Sequence, residues 1–219
     1  MKKILIPLCL TLVAACSDNT STPPAKEISA ERAPVSESPT IETTGAALAD
    51  QFMDALRPHC GKAYTGQVVS TDEADADFAA KPLKMHVRSC TADEIRIPFH
   101  VGDDRSRTWV ITRTADGLRL KHDHRHEDGT EDAVTQYGGD SGSITLQRTT
   151  FPVDQESIDL LLKEGLDVSV TNIWALDITP SLFAYELSRE NRFFRTEFDL
   201  TAPVSTPPPP WGASTNGEE

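Results

Sequence analysis

Two periods alternate along the chain. Over residues 45–57 the apolar positions Leu48, Phe52 and Leu56 recur every four residues, with Asp50, Gln51 and Asp54 elsewhere. That spacing predicts an amphipathic helix, ended by Pro58. The period then falls to two, which predicts strands near 63–70, 83–91, 94–101, 107–114, 118–126, 132–137 and 143–149. A second helix is expected near 154–164, where Ile158, Leu161 and Leu162 share a face between Asp154 as N-cap and Gly165 as C-cap. Strands near 168–177, 181–189 and 193–199 complete the pattern.

The connections between most of these strands are short and turn-rich: Ala92-Asp93, Gly102-Asp103-Asp104, Asp116-Gly117, Asp128-Gly129 and Gly138 to Gly142. Asp-Gly between alternating runs is a strong hairpin signal. About ten antiparallel strands in hairpin order point to an up-and-down barrel or rolled sheet with two short helices. Closure of such a sheet also removes its edges. The layout resembles the calycin architecture of lipocalins and related binding proteins. It does so in layout only, since no lipocalin signature motif is present and the helix at 154–164 is unusually placed. A β-sandwich is the alternative.

The run Leu118 to Glu127, LRLKHDHRHE, carries the candidate chemistry. A strand sends alternate residues to opposite faces, so Arg119, Lys121, Asp123, Arg125 and Glu127 are expected in water. Leu118, Leu120, His122, His124 and His126 then share the inner face. If Asp116-Gly117 is a two-residue turn, His122 opposes Ile111, His124 opposes Trp109 and His126 opposes Arg107. If Asp128-Gly129 is another, His126 opposes Glu131, His124 opposes Ala133 and His122 opposes Thr135. A cavity lined by Trp109, Ile111, Leu120 and Tyr137, with Arg107 toward its mouth, would be a small-molecule site. His122 and His124 would lie about 7 Å apart, close enough to share an ion, and Glu131 could supply a third ligand. His126 is the alternative histidine, and zinc the most suitable metal. A polar network without metal is the competing reading, so the expectation is no cofactor, with a zinc-dependent enzyme as the alternative.

The first residues, MKKILIPLCLTLVAAC, place Lys2 and Lys3 before a ten-residue apolar segment. That segment is too short to span a bilayer of about 30 Å as a helix. Val13-Ala14-Ala15-Cys16 resembles the lipobox of bacterial lipoproteins, with valine where leucine is most usual. The resemblance implies a signal peptide at 1–15 and a diacylglyceryl group on Cys16. Ser17 in place of the aspartate associated with inner-membrane retention favours a periplasm-facing anchor in the outer membrane of a Gram-negative cell. Several acyl chains hold stably, at about 0.8 kcal/mol per buried CH₂. Residues 17–44 lack aromatic side chains and read as a tether that buries too little to fold. Residues 45–200 form the expected domain, and 201–219 a proline-rich tail in which Pro207 to Pro210 precede Trp211. Docking of Trp211 on the body is favoured over a free end.

Export simplifies the cysteines. Cys9 leaves with the signal and Cys16 carries lipid, so Cys60 and Cys90 are expected to pair in an oxidising compartment. The formal charge is −13 and becomes −15 once Lys2 and Lys3 are removed. Such a balance argues against nucleic acid as a partner and against electrostatic attachment to anionic lipid. The membrane, through the anchor, and a small molecule are the expected partners.

Three other motifs have simpler explanations. Gly139-Asp140-Ser141-Gly142-Ser143 resembles the nucleophile loop of trypsin-like proteases, and His59-Cys60 precedes it. The residues before His59 do not fit that family, and the body is short for two barrels. Asp72, Glu73, Asp75 and Asp77 lack the glycine and distal glutamate of an EF-hand and read as a solvated loop. KHDHRHEDGTEDAVTQYGG, with most of the body and the Cys60 and Cys90 contexts, resembles an uncharacterised family of secreted bacterial proteins, a resemblance that implies no activity.

Overall fold

The computed structural model describes residues 44–213. The expected signal peptide, Cys16 and almost all of the tether lie outside the described residues, as does the end of the tail. The described chain is mainly β. Twelve antiparallel strands form one curled half-barrel sheet with three short α-helices. In chain order the elements are α1 (Gly45–Leu56), β1 (Ala63–Val68), α2 (Ala76–Ala79), β2 (Leu83–His86), β3 (Ser89–Cys90), β4 (Glu94–Val101), β5 (Asp104–Arg113) and β6 (Leu118–His124). They continue with β7 (Tyr137–Asp140), β8 (Ser143–Ile144), β9 (Arg148–Pro152), α3 (Gln155–Lys163), β10 (Ile173–Ile178), β11 (Leu182–Arg189) and β12 (Arg192–Asp199). Across the sheet the order is β7-β6-β5-β4-β2-β1-β12-β11-β10-β9-β8, with β3 paired to β4.

Expected and observed elements differ where turns interrupt a run. The strand expected at 83–91 divides into β2 and β3, and that at 143–149 gives way to β8 and β9. The strand expected at 132–137 is absent. After β6 the backbone turns at Asp128-Gly129, and Gln136 takes a left-handed φ of 57° before β7 begins. Gly138 and Gly139 therefore belong to β7 and not to a loop. Both are needed for close packing, because a Cβ would collide with the Leu120 carbonyl at Gly138 and with the Pro152 carbonyl at Gly139. Here β7 meets the chain leaving β9, and the Asp154 N–H donates to Gly138 O at 2.9 Å.

α1 fills the interior at one end of the sheet. Its buried side chains are Ala49, Phe52, Met53 and Leu56, while Thr44 caps its first turn. At its C-terminal end Cys60 is joined to Cys90, the disulfide expected from the cysteine count. α3 starts at its expected N-cap, where Asp154 accepts from Ser157 N at 2.8 Å. Its buried face holds Ser157 and Leu161, whereas Leu162 points outward at 48% exposure.

The outer face of β6 is less wet than its charges suggest. Asp123 is only 6% exposed and lies between Arg125 at 3.0 Å and Arg96 at 3.5 Å. Lys121 reaches the N-cap Asp154 at 2.8 Å. The tail also docks on this face. The Trp211 N–H donates to Arg105 O at 3.1 Å, and Arg105 donates back to Pro209 O at 2.9 Å. Lys and Arg stems cover apolar surface while their charges reach carboxylates, so a fully charged row can still be partly buried.

Candidate functional site

Strand alternation builds one wall of the site in rows. Phe99 on β4 opposes Arg107 on β5, which opposes His124 on β6. In the next row Ile97 opposes Trp109, Trp109 opposes His122, and His122 opposes Tyr137. A third row joins Ile95, Ile111, Leu120 and Gly139. The inner face of β6 is therefore the expected one, but the register is displaced by two residues from the expected pairing. The β5–β6 connection spans Thr114 to Gly117, with the Thr114 N–H donating to Gly117 O and Thr114 Oγ1 accepting from Gly117 N. A threonine side chain closes this longer turn in place of a two-residue Asp-Gly turn.

The far wall comes from the end of the chain. Tyr185 and Leu187 on β11 and Phe194 on β12 face the β5–β6 hairpin, and Phe78 on α2 leans over the opening. Trp109 stacks on Tyr185 at 4.5 Å between ring centroids and on Phe99 at 4.8 Å. Between these walls lies a cleft of about 180 Å³. Its floor of Trp109 and Phe99 is buried, while Arg107 and Arg192 are partly exposed at 27% and 19% and mark its mouth.

Three of the five expected lining residues, Trp109, Tyr137 and Arg107, face this cleft. Ile111 and Leu120 do not. Both are fully buried in the hydrophobic core, because the two-residue shift in register pairs them with each other one row deeper. Phe78, Phe99, Tyr185, Phe194 and Arg192 are lining residues that local periodicity did not single out. The alternation Phe183, Tyr185, Leu187 and Phe194, Thr196, Phe198 was the available signal, but the pairing of β12 with β1 brings it to the site over more than 120 residues.

The acidic run is solvated only in part: Glu73 and Asp77 are exposed as expected, whereas Asp72 and Asp75 form part of the same construction. Asp72 caps a 3₁₀ turn, and Asp75 is 2% exposed. Asp72 and Asp75 both pair with Arg192, and Ser70 donates to Asp75 at 2.5 Å. Those contacts hold Arg192 at the cleft while α2 delivers Phe78. The guanidinium of Arg107 lies 5.4 Å from the Phe78 ring centre, and that of Arg192 lies 5.8 Å from Phe194. Contacts of this kind contribute about 0.5–1 kcal/mol when exposed and more when dry.

His122 is 3% exposed and locked. Its Nδ1 lies 3.1 Å from the backbone oxygen of Tyr137, and its Nε2 lies 2.9 Å from the Tyr185 hydroxyl. A carbonyl only accepts, so Nδ1 carries the proton and donates, and Nε2 accepts from Tyr185. Burial pushes its pKa down to about 3, with neighbouring His124 adding to the shift. His124 bonds the Tyr137 hydroxyl through Nε2 at 3.2 Å, and burial followed by the charge of Arg107 lowers it to about 4. Burial raises the Tyr137 and Tyr185 hydroxyls, so both stay protonated donors.

The three expected metal ligands are not presented together. Both ring nitrogens of His122 already have protein partners. Glu131 bridges to Arg125 and bonds both Arg125 at 3.2 Å and Gln136 at 3.2 Å. His126 is exposed at the turn. Among the described residues, no group of three or more His, Cys, Asp or Glu side chains is placed to hold a metal ion. The turn at Asp128-Gly129 is also not the expected two-residue one, so the Glu131 bridge falls on Arg125 and not on His126. Of the protease-like residues, Ser141 Oγ accepts from Leu118 N at 3.1 Å, and His59 bonds Tyr64 at 2.7 Å.

Comparison with family models, with curated proteins and with solved structures found no match.

Proposed function

We propose that this chain is a small-ligand-binding lipoprotein. A lipid on Cys16 would tether a β domain that faces the periplasm from the outer membrane, and the cleft beside Trp109 would hold the ligand. One observation carries the binding reading. The interior is filled by α1 at one end, yet at the other a cleft of about 180 Å³ remains between aromatic walls. Aromatic walls left facing an open cleft keep apolar surface in water that closure or a ligand would bury, at about 25 cal/mol per Å². A cavity of about 150 Å³ lined by apolar side chains accepts benzene, so this cleft has room for one ring or a short chain. Hydrogen bonds that join His122 to Tyr185 and to the Tyr137 carbonyl, and Tyr137 to His124, tie the walls together, which lowers the ordering cost of binding.

The test is an amide and side-chain NMR titration of residues 44–213 with small aromatic probes, including benzene and benzyl alcohol. Shifts are expected to gather on Trp109, Tyr137, Tyr185, Leu187 and Phe194. They should vanish in Leu187→Trp, which fills the cleft. Shifts scattered over the surface, or unchanged by Leu187→Trp, would overturn the reading.

A further inference from the structure

The charge of the cleft runs against that of the chain. The protein as a whole carries a formal −13. The cleft is lined by two arginines and by no Asp or Glu, and its histidines are neutral. The acids that balance Arg192, Asp72 and Asp75, are not among its lining residues.

Arg107 is only partly occupied. Its Nη1 donates to Asp104 at 2.5 Å, and among the described residues no hydrogen bond takes its Nε or Nη2. Those two groups form one planar edge of the guanidinium, the fork that meets a carboxylate with two parallel hydrogen bonds. The opposite edge is tied back to Asp104, and the Phe78 ring lies beside the group at 5.4 Å. The fork is therefore held in place before a ligand arrives. Below it lies an apolar floor made by Phe99 and Trp109, whose rings are stacked on each other and present their edges to the cleft.

We infer that the cleft selects a small monocarboxylate with a planar or short apolar body, its carboxylate on the Nε/Nη2 edge of Arg107 and its body against Phe99 and Trp109. The inference rests on the small-ligand reading and adds the chemical class. Arg192, paired with Asp72 and Asp75, bounds the other side of the mouth and leaves Arg107 as the group that meets the anion. The acidic exterior imposes a selection of its own, because an anion gains at the fork only through direct hydrogen bonds to the open Nε/Nη2 edge of Arg107 and not through the long-range field. The apolar body is then the second requirement, since a bare anion gains nothing from the rings.

The experiment compares benzoate with benzamide, which has the same shape and no charge, by tryptophan fluorescence and calorimetry on the full chain. Benzoate is expected to bind at least tenfold tighter, the scale of one hydrogen-bonded charge pair. Arg107→Met should bring benzoate down to the affinity of benzamide, and an unchanged thermal melt shows separately that the variant is folded. Arg107→Lys keeps the charge without the fork and should recover only part of the preference. Inorganic phosphate and acetate serve as anions with little or no apolar body and should bind far more weakly than benzoate. Equal affinity for benzoate and benzamide would overturn the carboxylate inference and leave the small-ligand reading standing. If neither probe binds and the cleft residues are unmoved, both readings fall.

Discussion

Acidification from pH 7 to pH 5 should destabilise this domain well before its carboxylates titrate. His100 and His122 are each 3% exposed, and His124 is half-buried. Burial is the largest cause of the lowered pKa in all three, which fall to about 4, about 3 and about 4. In the unfolded chain each would titrate near 6.5. The unfolded state therefore takes up protons first as pH drops, and stability is lost from about pH 6.5 downward. At pH 5 the unfolded state gains about 2 kcal/mol per histidine, or roughly 6 kcal/mol for three as an upper bound. That is comparable to the whole stability of a typical domain, about 5–15 kcal/mol. His59 and His86 are also lowered by burial and act in the same direction. Carboxylates held below their usual range, such as Asp104 and Asp154, lose their contribution only at lower pH. Urea unfolding followed by circular dichroism at pH 7 and pH 5 measures the effect. With a slope of about 2 kcal/mol per molar, the midpoint should fall by up to about 3 M, or the domain should already be unfolded at pH 5. His100→Gln, outside the cleft, should recover about a third of the loss. A midpoint unchanged between the two pH values would refute the assignment of these histidines as buried and neutral.

Three further outcomes are expected. Reduction of Cys60–Cys90 should lower stability by roughly 3–4 kcal/mol in the chain-entropy account of a loop of this length, read as a shift in the urea midpoint with and without reductant. Gly139→Ala should prevent folding or cost several kcal/mol, because its Cβ would meet the Pro152 carbonyl, whereas Gly61→Ala meets nothing within 4 Å and should cost only its φ of +77°; thermal melts of the two variants compare them. Cys16→Ser should abolish a lipid mass shift in the full-length protein expressed in a Gram-negative host, and an unchanged mass would remove the anchor from the account.

The period along the chain made the strands and their faces legible, and the site was legible as far as those faces reached. β6 shows this best. Its alternation placed His122 and His124 inside with Leu118 and Leu120, because one face of a strand must be buried as a unit. Register was not legible. It depends on the length of the preceding turn, and Thr114 closes a four-residue connection that a search for Asp-Gly reads as two. That error moved Ile111 and Leu120 from core to cavity, while a second one, reading Asp128-Gly129 as a two-residue turn, set Glu131 across from His126. The second wall was hidden for a different reason. Tyr185, Phe194 and Arg192 reach the cleft through strand pairing distant in sequence, which local pattern does not encode. Within the acidic run at 72–77, Glu73 and Asp77 are exposed as composition implies, but Asp75 is not, because the arginine that pairs with it lies 117 residues away.

The central claim is that the space beside Trp109 exists to be occupied. A crystal structure of residues 44–213 grown with benzoate tests it most directly. The account predicts a single benzoate with its ring against Phe99 and Trp109, its carboxylate on Nε and Nη2 of Arg107, and Nη1 still on Asp104. A cleft closed by inward movement of Phe78 or Arg107, with benzoate absent from it, would contradict the account.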